Sequence, residues 1–189
     1  MAYIIGIGGV RASGKSTLAR NLGLILRADI VSSGRTREML RAQYKPKELP
    51  ELFSSVTNAS SLQESIHFLS TQAVLMKPSL QAAIRQCRER KANLILEGTH
   101  IYPGLLKKDL DLEVLLVAPT EKIEYRMHKD KKRRISKRTL QRNIELQKYL
   151  KNEAKKYKIP IIDTTSLPKA LIKIVKLLSI EKLPTTYFE

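Results

Sequence analysis

The stretch Gly8-Gly9-Val10-Arg11-Ala12-Ser13-Gly14-Lys15-Ser16-Thr17 leaves a chain few ways to fold. From Gly9 to Ser16 it satisfies G-x-x-x-x-G-K-[ST], and it lies between an apolar run at 3–8 and a stripe at helical spacing, Leu18, Leu22, Ile25 and Leu26. A strand must hand over to a helix through a glycine-rich turn. Such a turn points its N–H groups inwards around an anion, and the helix N-terminus adds partial positive charge. Gly9, Val10, Arg11, Ala12, Ser13, Gly14, Lys15, Ser16 and Thr17 are therefore expected to cradle a nucleotide polyphosphate. Lys15 would reach the β- and γ-phosphates and Ser16 would ligate Mg²⁺.

Further strand-like runs at 29–32, 93–97, 112–117 and 159–163 alternate with amphipathic helical stretches. Leu171, Ile174, Val175 and Leu178 form a second helical stripe. Runs such as Asn93-Leu94-Ile95-Leu96 and Val114-Leu115-Leu116-Val117 are apolar nearly throughout, which suits strands buried on both faces of a parallel sheet. The expectation is an α/β fold of the phosphate-loop NTPase type: about five parallel strands, helices on both faces and a short basic lid, in one domain over residues 1–189. Residues 45–61, with Pro46, Pro50 and several Ser and Asn, interrupt the alternation as a loop or cap. A long helical region follows at 62–91, kinked or divided near Pro78.

Lys and Arg total 35 against 18 Asp and Glu, a net charge of +17 that attracts phosphate-bearing partners. Much of it falls between Arg126 and Arg142, so a lid is expected at about 129–138. The sequence has no apolar run near the ~20 residues that cross a bilayer and no basic–apolar leader, hence an expectation of a cytoplasmic chain without a membrane partner. The single cysteine, Cys87, excludes an internal disulfide framework or cysteine-cluster metal site and reads as a packed helix residue.

A second motif, Ile95-Leu96-Glu97-Gly98-Thr99-His100-Ile101-Tyr102-Pro103-Gly104, puts a carboxylate and a histidine at the carboxyl end of a buried strand, the edge where open α/β sheets bind ligands. Glu97 would hold a water of the Mg²⁺ shell or orient an acceptor. His100 would bind substrate or brace its loop, and Tyr102 would pack. No N-K-x-D segment occurs, which weighs against a GTPase.

Together these stretches resemble the archaeal 2-phosphoglycerate kinases, in the phosphate loop and in Glu97-Gly98-Thr99-His100-Ile101-Tyr102-Pro103-Gly104. Residues 147–163 are similar to that family's helix and last strand, Arg37-Glu38 to part of its T-D-x-x-R-E stretch, and His128 with Arg133 and Arg134 to a compressed form of its lid. Two departures are Gly34, where the family usually has Asp, and Ile144, where it tends to have Arg. The resemblance implies transfer of the ATP γ-phosphoryl group, with Mg²⁺, to a hydroxyl of a small phosphorylated acid, 2-phosphoglycerate being the best match.

On that reading the catalytic set is Lys15, Glu97, Arg133, Arg134 and Arg138, with Arg126 and Arg142 as weaker candidates. Arg37 and His100 would bind the acceptor, and Ser16 and Glu97 the metal. The alternatives are a nucleoside-monophosphate or RNA kinase and an RNA-associated phosphate-loop ATPase. With three Phe, no Trp and no aromatic in the basic segment, the stacking platforms of single-strand binders are lacking, so nucleic acid is not favoured.

Overall fold

A computed structural model describes residues 2–129 and 135–178. In chain order the elements are β1 (Ile4–Gly8), α1 (Lys15–Leu26), β2 (Asp29–Ser32), α2 (Ser33–Arg41), α3 (Pro50–Phe53), α4 (Leu62–Glu89), β3 (Leu94–Glu97), β4 (Leu112–Val117), α5 (Thr120–Lys129), α6 (Lys137–Lys156), β5 (Ile161–Asp163) and α7 (Leu167–Leu177). The strands form one sheet in the order β2-β3-β1-β4-β5, and every neighbouring pair is parallel.

Parallel pairing here follows from burial. β1 and β3 are buried at every residue, because side chains alternate between two covered faces. Ile5, Ile7, Ile95, Val114 and Leu116 face one way, into a core with Leu18 and Leu22 of α1 and Leu171, Ile174 and Val175 of α7. On the opposite face, Ile4, Leu94 and Leu96 meet Met76, Leu80 and Ile84 of α4, while Leu115 and Val117 meet Ile123 of α5 and Leu146 and Leu150 of α6. β2 forms an edge of the sheet and, among the described residues, is the one strand with no fully buried residue.

The register brings the carboxyl ends to one edge: Ile7 and Ser32 both pair with Glu97, Gly8 with Leu115, and Val117 with Asp163. β1 lies between β3 and β4, whose connections run to opposite faces of the sheet, so a crevice opens beyond Gly8.

Two expectations change in detail. α4 runs unbroken through Pro78 rather than dividing there. The proline frees the carbonyl four residues back, and Val74 is exposed, so water can satisfy it; the buried stripe Leu69, Ala73, Met76, Leu80, Ile84 and Cys87 holds the helix on the sheet from both sides of the proline. The cap at 45–61 is not plain loop. It carries the single turn α3, with Pro50 at its start and Leu52 fully buried. Cys87 is buried in α4, as its apolar neighbours require.

Candidate active site

The turn between β1 and α1 is held from outside. Four consecutive carbonyls are engaged: Val10 O accepts from Lys15 Nζ at 2.6 Å, Arg11 O from Asn143 Nδ2 of α6 at 2.9 Å, Ala12 O from an Arg126 terminal nitrogen of α5 at 3.1 Å, and Ser13 O from Thr164 Oγ1 beyond β5 at 2.8 Å. The last three ties run outwards to other elements, while Val10 O is held within the turn and also accepts from Ser13 N–H at 3.2 Å; the other N–H groups of the turn are left for an anion. Gly9, at φ 140°, permits this path, since a Cβ there would lie 2.6 Å from Leu116 O. Gly14 caps α1 without a side-chain hydrogen bond, and no acid stands in the first turn, so the N–H groups of Lys15, Ser16 and Thr17 lack intrahelical acceptors.

These features fit a polyphosphate. Ser13 Oγ is buried without a hydrogen-bond partner among the described residues and would donate to a phosphate oxygen. Lys15 is buried, which lowers its ammonium pKa to about 8, against the opposing pull of the Glu97 carboxylate. An anion in the cradle would restore its charge. Ser16 Oγ donates to Glu97 Oε2 at 3.1 Å, placing a hydroxyl and a carboxylate side by side for a hard cation. No cluster of three or more His, Cys, Asp or Glu suited to a metal occurs among the described residues, so such a cation would draw its remaining ligands from phosphate and water.

Two cavities open on this turn. One, of about 410 Å³, is bounded by the loop, Arg126, Met127 and Leu167. The other, of about 660 Å³, lies between the loop, α2, the cap and the Glu97–His100 segment, with Asn143 and Leu146 behind. Arg11, Ala12, Lys15 and Ser16 border both.

The second cavity is cationic on its α2 side. Arg37 donates through Nε to Leu52 O at 2.8 Å and through a terminal nitrogen to Ser54 O at 2.6 Å, and the Arg41 guanidinium lies 4.8 Å from the Phe53 ring centroid. Glu38 and Glu97 are the carboxylates of its lining. His100 is 7% exposed; burial first, then the charges of Arg37 and Lys15, push its pKa down to about 3, so it is neutral. Its Nε2 lies 2.9 Å from Gln72 Oε1 and its Nδ1 3.5 Å from Ser33 Oγ.

The sequence-derived residues divide accordingly. Of residues 9–17, Arg11, Ala12, Gly14, Lys15, Ser16 and Thr17 border one or both cavities while Gly9, Val10 and Ser13 border neither; Glu97, Arg37 and His100 line the second. Arg126 borders the first cavity and braces the loop. Arg138 lines neither: it donates to Ala59 O at 3.0 Å, and Arg142 pairs with Glu145 at 2.7 Å while reaching Ser60 O, so both hold the cap from α6. Arg133 and Arg134, and with them much of the expected lid, lie outside the described residues. Tyr102 bonds Tyr149 through their hydroxyls at 2.5 Å, a packing contact. Gln72, Asn143 and Thr164 escape sequence reasoning. Thr164 alone carries a signal, its place just past the last strand at the carboxyl edge.

No family model matches the chain. Among curated proteins it is 29% identical over 195 residues to a 2-phosphoglycerate kinase of Pyrococcus furiosus, covering 92% of this chain and 63% of that protein. It is 23% identical over 202 residues to a 2-phosphoglycerate kinase of Methanothermobacter thermautotrophicus, covering 93% and 65%. The chain thus spans less than two thirds of the length of these relatives. Among solved structures, shikimate kinase from Acinetobacter baumannii in complex with shikimate superposes with a TM-score of 0.62 at 19% identity, covering 97% of each chain. TT1252 from Thermus thermophilus superposes equally well, also at 19% identity, over 97% of this chain and all of that one. The chain therefore has the shikimate kinase-like phosphate-loop fold and is similar, over nearly all of its length, to archaeal proteins named 2-phosphoglycerate kinase.

Proposed function

We propose that the protein is a kinase that transfers the γ-phosphoryl group of ATP, in the presence of Mg²⁺, to a hydroxyl of a small phosphorylated acid, with 2-phosphoglycerate as acceptor and 2,3-bisphosphoglycerate as product. The observation that carries this reading is the meeting of two cavities at Arg11, Lys15 and Ser16, one on the phosphate loop and one walled by arginines. A hydrolase needs room for a water; a separate cationic cavity of about 660 Å³ suits a second anion. The named relatives support the choice of acceptor.

Loop N–H groups and Ser13 Oγ hold the polyphosphate, and Lys15 exchanges Val10 O for a phosphate oxygen. Ser16 and Glu97 are the residues that would hold Mg²⁺, which supplies neutralisation of charge on the transferring group. Arg37 and Arg41 take the anionic groups of the acceptor and aim its hydroxyl at the boundary between the cavities. A carboxylate of the lining, Glu97 or Glu38, receives the hydroxyl proton as the new P–O bond forms and ADP leaves.

The test is a labelled-ATP transfer assay with 2-phosphoglycerate, nucleoside monophosphates and a 5′-hydroxyl RNA offered in parallel. Label on 2-phosphoglycerate supports the proposal. Label on RNA alone, or hydrolysis that no acceptor stimulates, overturns it.

A further inference from the structure

The outer wall of the second cavity is the cap, and side chains from α2 and α4 grip its backbone. Gln72, in the middle of α4, donates through Nε2 to Glu51 O at 2.6 Å and to Ser54 O at 3.0 Å. Ser54 O also accepts from Arg37, so both of its lone pairs are used. Carbonyls only accept. The amide of Gln72 therefore has one orientation, with Oε1 turned to His100.

This orientation dictates the rest. Facing an acceptor, His100 Nε2 must carry the hydrogen; its neutral ring then leaves a lone pair on Nδ1, which takes the Ser33 hydroxyl hydrogen. The hydrogen bonds all point one way, from Ser33 at the start of α2, through His100 beyond β3 and Gln72 on α4, to the cap carbonyls. With both ring nitrogens engaged by the protein, His100 is a strut rather than a hand for the substrate.

Packing does not demand this arrangement. Gln72 is fully buried within the stripe Leu69, Ala73 and Met76, where an apolar residue would avoid the cost of desolvating an amide. Chains of this kind rigidify and specify the groups they join.

We propose that Gln72 is a positioning residue for the acceptor: oriented by His100, it fixes the cap carbonyls and, through the Ser54 carbonyl they share, the guanidinium of Arg37 at the cavity wall. This rests on reading that cavity as the acceptor site.

The experiment uses the full chain with Gln72→Leu, with Gln72→Met as the second variant should the first not fold, and Ile84→Val as a control elsewhere in α4. Side-chain Nε–H exchange of Arg37, followed by NMR without any acceptor, should speed up in the Gln72 variant and not in the control. The KM for 2-phosphoglycerate should rise about tenfold, since misplacement on the order of 1 Å costs up to about a hundredfold, while the KM for ATP stays within about twofold. In an Arg37→Ala background Gln72→Leu should add no further rise. Unchanged Arg37 exchange, an acceptor KM at the wild-type value, or an equal shift in the control each overturns the proposal. The exchange measurement needs no acceptor, so a protein that phosphorylates nothing while its Arg37 still responds to Gln72 defeats the assigned reaction and supports the chain of bonds.

Discussion

Ser16 Oγ donates to Glu97 Oε2 at 3.1 Å, joining the first turn of α1 to the end of β3 across 81 positions of sequence. The pairing exists because β1 and β3 are adjacent and in register at Ile7 and Glu97. Replacing Glu97 by Gln keeps the shape and removes the charge that favours a divalent cation. We expect kcat to fall by about a hundredfold or more and the Mg²⁺ concentration for half-maximal rate to rise. A Mg²⁺ titration of Glu97→Gln that overlays the wild type would remove Glu97 from the metal site.

Lys15 predicts a pH dependence with a definite sign. Its pKa is about 8 in the free protein, and a bound polyphosphate favours the ammonium form, raising it. Nucleotide affinity should be level below pH 8 and then weaken by about tenfold per pH unit until the pKa of the complex is passed. Calorimetry at pH 8.5 in buffers of different ionisation heat should detect proton uptake on binding. Lys15→Ala should bind weakly at every pH and transfer nothing; ATP turnover equal to wild type would refute the site.

Arg37 faces the cavity and anchors the cap, so its loss should register twice. Arg37→Ala is expected to raise the acceptor KM by at least about tenfold, because Lys15 and Arg41 remain but the nearest fork for an anion is gone. The cap carbonyls at Leu52 and Ser54 also lose a partner, so amides of 51–55 should exchange faster. An intact acceptor KM would move the acceptor elsewhere.

Gly98 stands where β3 ends, at φ 142°, and a Cβ there would fall 1.9 Å from Ser33 Oγ. Gly98→Ala must strain the backbone and displace Ser33 together. A loss of about 2 kcal/mol in denaturant unfolding is expected. Unfolding at the wild-type midpoint would show that Ser33 yields freely.

Glu113 gives a stability test away from the site. It is buried at the start of β4, and burial raises its pKa to about 7, opposed by the Gly104 N–H and Lys107. The folded state therefore holds more protons than the unfolded one between the ordinary carboxyl range and pH 7, and stability falls as pH rises through that window. Glu113→Gln should raise Tm at pH 8 and change it little at pH 5. A larger gain at pH 5 than at pH 8 would contradict the assignment.

The phosphate loop and Glu97 were legible in sequence because their chemistry and their local structure coincide: a glycine turn between strand and helix, and an acid ending an apolar strand. The five strands were legible for the same reason, their apolar runs being short and bounded. Gln72 was not, because nothing local separates a polar residue in an apolar stripe from a flaw in the stripe. Its meaning comes from Glu51, Ser54 and His100, which the fold alone brings near. Asn143 and Thr164 likewise serve carbonyls 132 and 151 positions away. Arg138 shows the converse. Its charge was visible, but whether α6 turns it to a phosphate or to the Ala59 carbonyl depends on how the cap packs.

The outward ties of the phosphate loop have a bearing on assembly. The groups that hold its carbonyls, Arg126, Asn143 and Thr164, stand 114, 132 and 151 positions further along the chain. β1 is also flanked by strands that come much later. A fragment that stops short of α5 would thus carry the motif without the side chains that brace it, and nucleotide capture would report that these distant segments have docked.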